Sequence, residues 1–265
     1  MNWTYFPTYA LITAILWFTG AVFMFFKQRK TLKILAHCFI LTGIVVLSAF
    51  IALIWLYIER PPMRTLGETR LWYALFLTII GYLIYLRWRY AVILAISIGC
   101  AIMFLWINFS HPEAYAKELM PALQSPWFIP HVVVYILSYA VLGLSSLAAI
   151  TGLFMILFRK FEIKVLNMAD NLVHMGFAML TTGMIFGALW AKEAWGHYWT
   201  WDPKETWALL TWLVYLIYIH YRHNHPKKIQ AHLWILSLVF AVLLVCWFGI
   251  SYLPSAQNSI HVYTR

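Results

Sequence analysis

Residues 171–212 read NLVHMGFAMLTTGMIFGALWAKEAWGHYWTWDPKETWALLTW, and this stretch decides the fold. Its first half, 171–191, is apolar, with one histidine and no formal charge. At 1.5 Å per residue it is long enough to cross a hydrocarbon core of about 30 Å. A short loop dense in tryptophan follows. Then Asp202-Pro203-Lys204-Glu205 reads as a helix start, with Asp at the N-cap, Pro at the first helical position and Glu at the third. A spanning helix, a loop at the interface and a second helix that begins abruptly make the repeating element of a membrane bundle.

The rest of the chain extends that element. Of its 265 residues 63% are apolar and only 11% charged, where soluble domains run near half and a quarter. Apolar runs broken by charged or Pro-bearing segments predict helices over 9–26, 34–58, 71–86, 91–109, 131–158, 171–191, 205–221 and 231–251. The expected fold is therefore all-α, a polytopic membrane bundle of about eight transmembrane helices. There is no obvious internal repeat, and residues 1–265 read as a single integral membrane domain. Eight crossings leave no room for a soluble catalytic domain. Cys38, Cys100 and Cys246 each fall inside an apolar run without a C-x-x-C pair and read as small buried hydrophobes.

The net charge of +10 sets topology and is no sign of a nucleic-acid partner. One set of loops collects Lys27, Arg29, Lys30, Lys33, Arg87, Arg89, Arg159, Lys160, Lys164, Arg222, Lys227 and Lys228. Those loops are expected on the cytoplasmic side. Both termini and the tryptophan-rich loop 192–204 then face outward, to a periplasm or its equivalent.

That outer loop carries the chemistry. Trp190, Trp195, Trp199, Trp201, Trp207 and Trp212 are six of the 15 tryptophans in the chain. An interfacial belt accounts for one or two per helix end. It does not account for Trp195, Trp199 and Trp201 within one short link. The helix start at Asp202 should position these rings rigidly, and Gly196 lets the chain turn beneath them. The expected result is a π-rich shelf facing out of the membrane, suited to a large flat hydrophobic ligand. Lys192, Lys204, Arg60, Arg64 and Arg70 are candidates to meet carboxylates on its edge.

The stretch WGHYWTWDPKETWALLTWLVYLIYIHYR resembles the tryptophan-rich WWD signature, WGxxWxWDPKETWAL, of haem-handling membrane proteins. The DPKETWAL continuation is similar to that of the CcsA (ResC) type of cytochrome c biogenesis protein. The CcmC and CcmF relatives carry different residues after the Asp. The resemblance runs from Pro130 to the C-terminus, and RTLGETRLWY (64–73) is similar to a Glu-containing outer loop of the family.

Ten histidines are present. His220, His223, His225 and His232 sit among Arg222, Lys227 and Lys228 and read as a wet basic surface. His111 reads as a helix stop, and solvation at an interface accounts for His37. His131, after Pro130, and His261, in the outer tail, fall on the same side as the tryptophan loop. Haem iron takes two axial ligands, and neutral imidazole suits it. In the family resembled, outer histidines flank the loop on both sides, and His131 and His261 match those positions. His197, within the loop, stands where relatives often have a small residue. His174 lies about one turn into the sixth predicted helix, and Asp170, four residues earlier, is its candidate partner. The resemblance makes His174 an inner haem ligand.

The resemblance implies a subunit of a cytochrome c haem lyase that moves haem b outward and presents it to the CXXCH cysteines of an apocytochrome c. On this reading His131, His261 and His174 meet the iron, while Trp195, Trp199, Trp201 and Asp202 frame the ring. It also implies a separate CcsB (ResB) type partner and a bacterial inner (cytoplasmic) membrane, with the haem site toward the periplasm. Two rivals stand beside it: a b-type cytochrome exchanging electrons with quinone, and a transporter of another amphipathic substrate. The first predicts histidine pairs at matched depth, such as His174 with His37 or His220, and leaves the tryptophan cluster unexplained.

Overall fold

The computed structural model describes residues 3–26, 29–115 and 125–249. Among them are eight α-helices and no strand. These are α1 (Phe6–Met24), α2 (Lys30–Ile58), α3 (Leu66–Trp88), α4 (Ala91–Ser110), α5 (Phe128–Leu157), α6 (Ile163–Trp195), α7 (Pro203–Asn224) and α8 (Ile229–Leu244). A π-helical turn, Val245–Gly249, continues α8. Seven of the eight are long and apolar enough to cross a membrane; α7 is the exception. Its 22 residues would reach about 33 Å. Tyrosine, tryptophan and charged ends dilute its apolar character, and its length does not fall short. The chain is a polytopic helical membrane bundle.

It folds as two compact units, Met1–Leu119 and Met120–Arg265. In unit one α1 packs on α2, α3 on α4, and α1 on α4. Small residues let the helices close up: a Cβ on Gly20 would collide with Ile40, and one on Gly43 with the Trp17 ring. In unit two α5 packs chiefly on α6 and then on α8, while α7 bridges α6 and α8. The α5–α6 seam runs through Gly176, Gly183 and Gly187, which receive Leu142, Tyr135 and His131. Gly183 and Gly187, four residues apart on one face of α6, thus mark a close approach of α5.

At its other end α7 is tied to α6 by one carboxylate. Asp170 accepts from the Tyr218 hydroxyl at 2.6 Å and from Arg222 Nε at 2.9 Å. Nearer the tryptophan loop, Trp212 Nε1 donates to Thr181 Oγ1 at 2.9 Å. Two expectations change here. The Asp170 carboxylate is not the partner of His174; only its backbone carbonyl is, accepting from His174 Nδ1 at 2.7 Å. His232 is not part of a wet surface. It is buried and donates from Nε2 to the His225 carbonyl at 2.7 Å, closing the α7–α8 turn. Of the cysteines, Cys246 is buried and Cys100 half-buried, but Cys38 lies on an outward face of α2.

Candidate functional site

The tryptophan loop hangs between two fixed helix ends. Helix α6 stops at Gly196, whose φ of 83° is the left-handed conformation that glycine takes without penalty. Lys192 Nζ donates to the Gly196 carbonyl at 2.7 Å and lies over the Tyr198 ring. Helix α7 starts with the full capping box foreseen from Asp202 and Glu205. Asp202 Oδ1 accepts from Lys204 N at 2.9 Å. Glu205 does more than the spacing suggested. Its buried Oε2 accepts from Asp202 N at 3.2 Å and Thr200 N at 2.8 Å, and also from the Thr200 hydroxyl. One carboxylate thus gathers the last turn of the loop, and a formal negative charge at a helix N-terminus is itself favourable.

Between these ends the three loop tryptophans separate into two roles. Trp195 turns inward, 4.9 Å from Trp190, and joins Phe128, Ile129 and Val132 in a small apolar cluster. Trp201 faces outward at 67% exposure, with the half-buried Trp199 set edge-on beside it at 5.8 Å. Trp201 has a φ of 60°, a conformation costing a non-glycine residue roughly 1–2 kcal/mol. Such strain is held by its surroundings, here Glu205 and the Thr206 hydroxyl on the Trp201 carbonyl. The indole N–H of Trp199 is buried without a hydrogen-bond partner. The outward-facing pair is therefore Trp201 and Trp199, while Trp195 packs inward on Trp190.

His131 stands at the foot of this arrangement, at the start of α5. Its Nδ1 lies 2.9 Å from the Gly183 carbonyl of α6, and its ring lies against Gly187. Tyr135 and Trp190 flank the ring at 4.6 and 5.5 Å. A carbonyl can only accept, so Nδ1 carries a proton and donates it to Gly183. Metal-binding histidines are commonly fixed in this way by a second hydrogen bond.

His174 is about two thirds of the length of α6 away from the loop. The 33 residues of α6 place it three turns into the helix instead of one, because the helix begins at Ile163. Gly183, which holds His131, is nine residues further along, roughly 13 Å. Metal–imidazole bonds are about 2 Å, so His131 and His174 cannot serve one iron. His174 is exposed, with Nδ1–H donated to the carbonyl of Asp170. His220, read from the sequence as a candidate at matched depth to His174, is placed alike: it is exposed and donates from Nδ1 to the Leu216 carbonyl at 2.9 Å. The Asp170–Tyr218 and Thr181–Trp212 contacts align α6 with α7, and they put His220 within about one turn of the depth of His174. Tyr218 and Arg222 face α6, so His220, two residues from each, points away from it. His197 is exposed in the loop, and His261 lies outside the described residues. No cluster of three or more His, Cys, Asp or Glu suited to a metal ion occurs among the described residues.

The capping box gives a test of scaffold against contact. If Asp202 acts only as the N-cap, Asp202→Asn should be nearly silent and Asp202→Ala should cost about 1 kcal/mol. Thermal melts in detergent measure that cost. An Asn variant that is present at normal levels yet fails to support cytochrome c maturation would give Asp202 a direct contact instead.

The model of the family described as "Cytochrome C assembly protein" matches residues 5–256. Cytochrome c biogenesis protein CcsA of Guillardia theta is 31% identical, over 94% of this chain and 92% of its own length. CcsA of Mesostigma viride is 29% identical over 96% and 94%. CcsA of Chlamydomonas reinhardtii is 41% identical, over 60% of this chain and about half, 48%, of its own length. Among solved structures, the cytochrome c haem lyase CcmF shares the fold, with a TM-score of 0.69 over 96% of this chain and 18% identity; the chain spans 48% of CcmF. The breadth of the family match and the near full-length alignments carry the conclusion that this chain belongs to the cytochrome C assembly protein family and is of the CcsA type.

Proposed function

We propose that this chain holds haem b at the outer end of unit two and presents it for attachment to an apocytochrome c, as the membrane-embedded part of a haem lyase. One observation carries the reading: His131, beneath the tryptophan loop, is held with its proton on Nδ1 by the Gly183 carbonyl. A neutral imidazole oriented in this way would present Nε2 to an axial position on iron. His261 is the proposed second axial ligand. Trp201 and Trp199 lie against one face of the ring, Trp195 anchors them, and Asp202 with Glu205 keeps the loop in register. Haem is the cargo; its vinyl groups accept the CXXCH thiols as thioethers. The chain contributes position and exclusion of water, with no general acid or base required.

Two imidazoles exposed on membrane helices, His174 and His220, favour a partner subunit over lipid as their neighbour, because ionisable groups facing hydrocarbon are costly. A CcsB (ResB) type protein is the proposed neighbour, supplying a second ligand opposite His174 at an inner haem station. The charge asymmetry of the loops supports an orientation with the tryptophan loop and both termini outside, on the periplasmic side of a bacterial inner membrane.

Gentle purification with the CcsB-type partner, followed by absorbance and pyridine haemochrome assays, tests the reading. The expected result is haem b in near-stoichiometric amount, with the spectrum of a low-spin bis-imidazole complex. Protein that is intact but colourless would overturn it and favour transport of another amphipathic substrate.

A further inference from the structure

The two units share one junction. In each, the second helix ends on a left-handed residue, Glu59 with a φ of 55° or Gly196 with a φ of 83°. A link of equal length follows, residues 60–64 or 197–201. It leads to an N-cap with a complete capping box, Thr65 with Glu68 or Asp202 with Glu205. Both glutamates are buried, at 1% and 9% exposure, and both gather backbone N–H groups of the link before them. Glu68 takes those of Arg64 and Thr65, and Glu205 those of Thr200 and Asp202. His37 and His174 precede their end caps by the same number of residues. The frame is common to both units and only its filling differs. Where one link holds His197, Trp199 and Trp201, the other holds Arg60, Pro62 and Arg64.

The arginines of unit one are not equivalent. Arg60 is committed: its two terminal nitrogens donate to Glu68 at 3.0 and 2.8 Å, and one of them also to the Pro61 carbonyl. With two backbone donors added, Glu68 accepts four N–H groups, three of them at Oε2, and none of these comes from the Arg64 side chain. Glu113 pairs with His111 at 2.8 Å and faces Arg70. Arg64 is half-buried, and its Nε is buried without an acceptor. Burial, and then the charge of Arg60, hold its guanidinium below the usual arginine range, and the Glu68 carboxylate only partly opposes them. A desolvated, unsatisfied N–H beside a second guanidinium calls for an anion.

We propose that the 60–64 link is an oxyanion site, with Arg64 as its central donor, taking a phosphate diester or a carboxylate at the membrane surface. The planar guanidinium fork matches two oxygens of either group. A lipid head group and the acid edge of an amphipathic ligand share this chemistry. The site stands whether or not the tryptophan loop holds haem.

The full chain in nanodiscs tests it in two arms. One compares retention of phosphatidylglycerol and phosphatidylcholine by native mass spectrometry. The other compares a fluorescent zinc porphyrin diacid with its dimethyl ester. Arg64→Gln removes the guanidinium and keeps the backbone N–H that Glu68 accepts. Wild type should prefer the anionic species in one arm by about fivefold, and the Gln variant should lose that preference. Preference in the first arm identifies a lipid phosphate, and in the second a ligand carboxylate. Stability in zwitterionic lipid should not fall in Arg64→Gln, since an unpaired donor is removed. Equal preference in wild type and variant in both arms overturns the site. So does a loss of stability without ligand, which would make Arg64 scaffold. Arg64→Lys, which keeps the charge but loses the fork, carries the comparison if the Gln variant is not recovered; an undiminished preference then overturns it.

Discussion

Haem content of the outer site should fall at least about tenfold in His131→Gly, and added imidazole should restore much of it. The glycine leaves a hollow against Gly187 where the ring had been, bounded by Tyr135 and Trp190. Free imidazole fits that hollow and can donate one nitrogen to the Gly183 carbonyl, as His131 does now. Rescue by imidazole but not by pyrrole separates a ligand from a packing residue: pyrrole can fill the same hollow and donate its N–H to Gly183, but it has no nitrogen lone pair to offer iron. The measurements are the pyridine haemochrome yield and the Soret position over an imidazole titration, with a cytochrome c maturation assay alongside. Full haem retention in His131→Gly, with His261→Gly equally unaffected, would remove the axial pair, and His197 would be next to test.

Loading of the outer site should collapse in the variant that breaks the inner station, while the outer site itself stays competent. His174→Ala is the proposed variant and His220→Ala its necessary comparison, because both side chains face outward with Nδ1–H donated four residues back. The informative quantity is haem content of the complex, with and without the partner, before and after adding haem from the outer side. Loss in His174→Ala that external haem reverses supports delivery through this residue. The same pattern in His220→Ala alone would move the station to α7. Normal loading in both would make each a solvated surface residue.

The helices were legible because burial in lipid imposes a composition that short charged loops cannot mask. Their ends were less so. Helix α6 begins at Ile163, through a charged stretch that includes Lys164 and Asp170, because those residues lie beyond the apolar run yet still satisfy helix hydrogen bonds. The caps of α7 were read correctly, since Asp, Pro and Glu each have a local reason to stand where they do. The division of labour among Trp195, Trp199 and Trp201 was not readable. It depends on the left-handed turn at Trp201 and on packing against Phe128, which no local spacing encodes. Asp170 misled for a similar reason: the nearest histidine in sequence was His174, but its carboxylate turns across to Tyr218 and Arg222, some fifty residues on. The shared junction escaped notice because Thr and Asp, or Glu and Gly, do equal capping work without being alike as letters.

That junction behaves as a socket. The helix-end residue on one side and the capping box on the other set the span and direction of the chain, and the residues between them answer only to what they must touch. Such a segment can be exchanged like a cassette. Over evolutionary time a lineage could trade tryptophan for arginine in one copy and leave the helices beneath unaltered, whereas a single inserted residue would pull one cap out of step with the other. Changes in cargo should therefore accumulate as substitutions within these links, and gaps should be excluded from them.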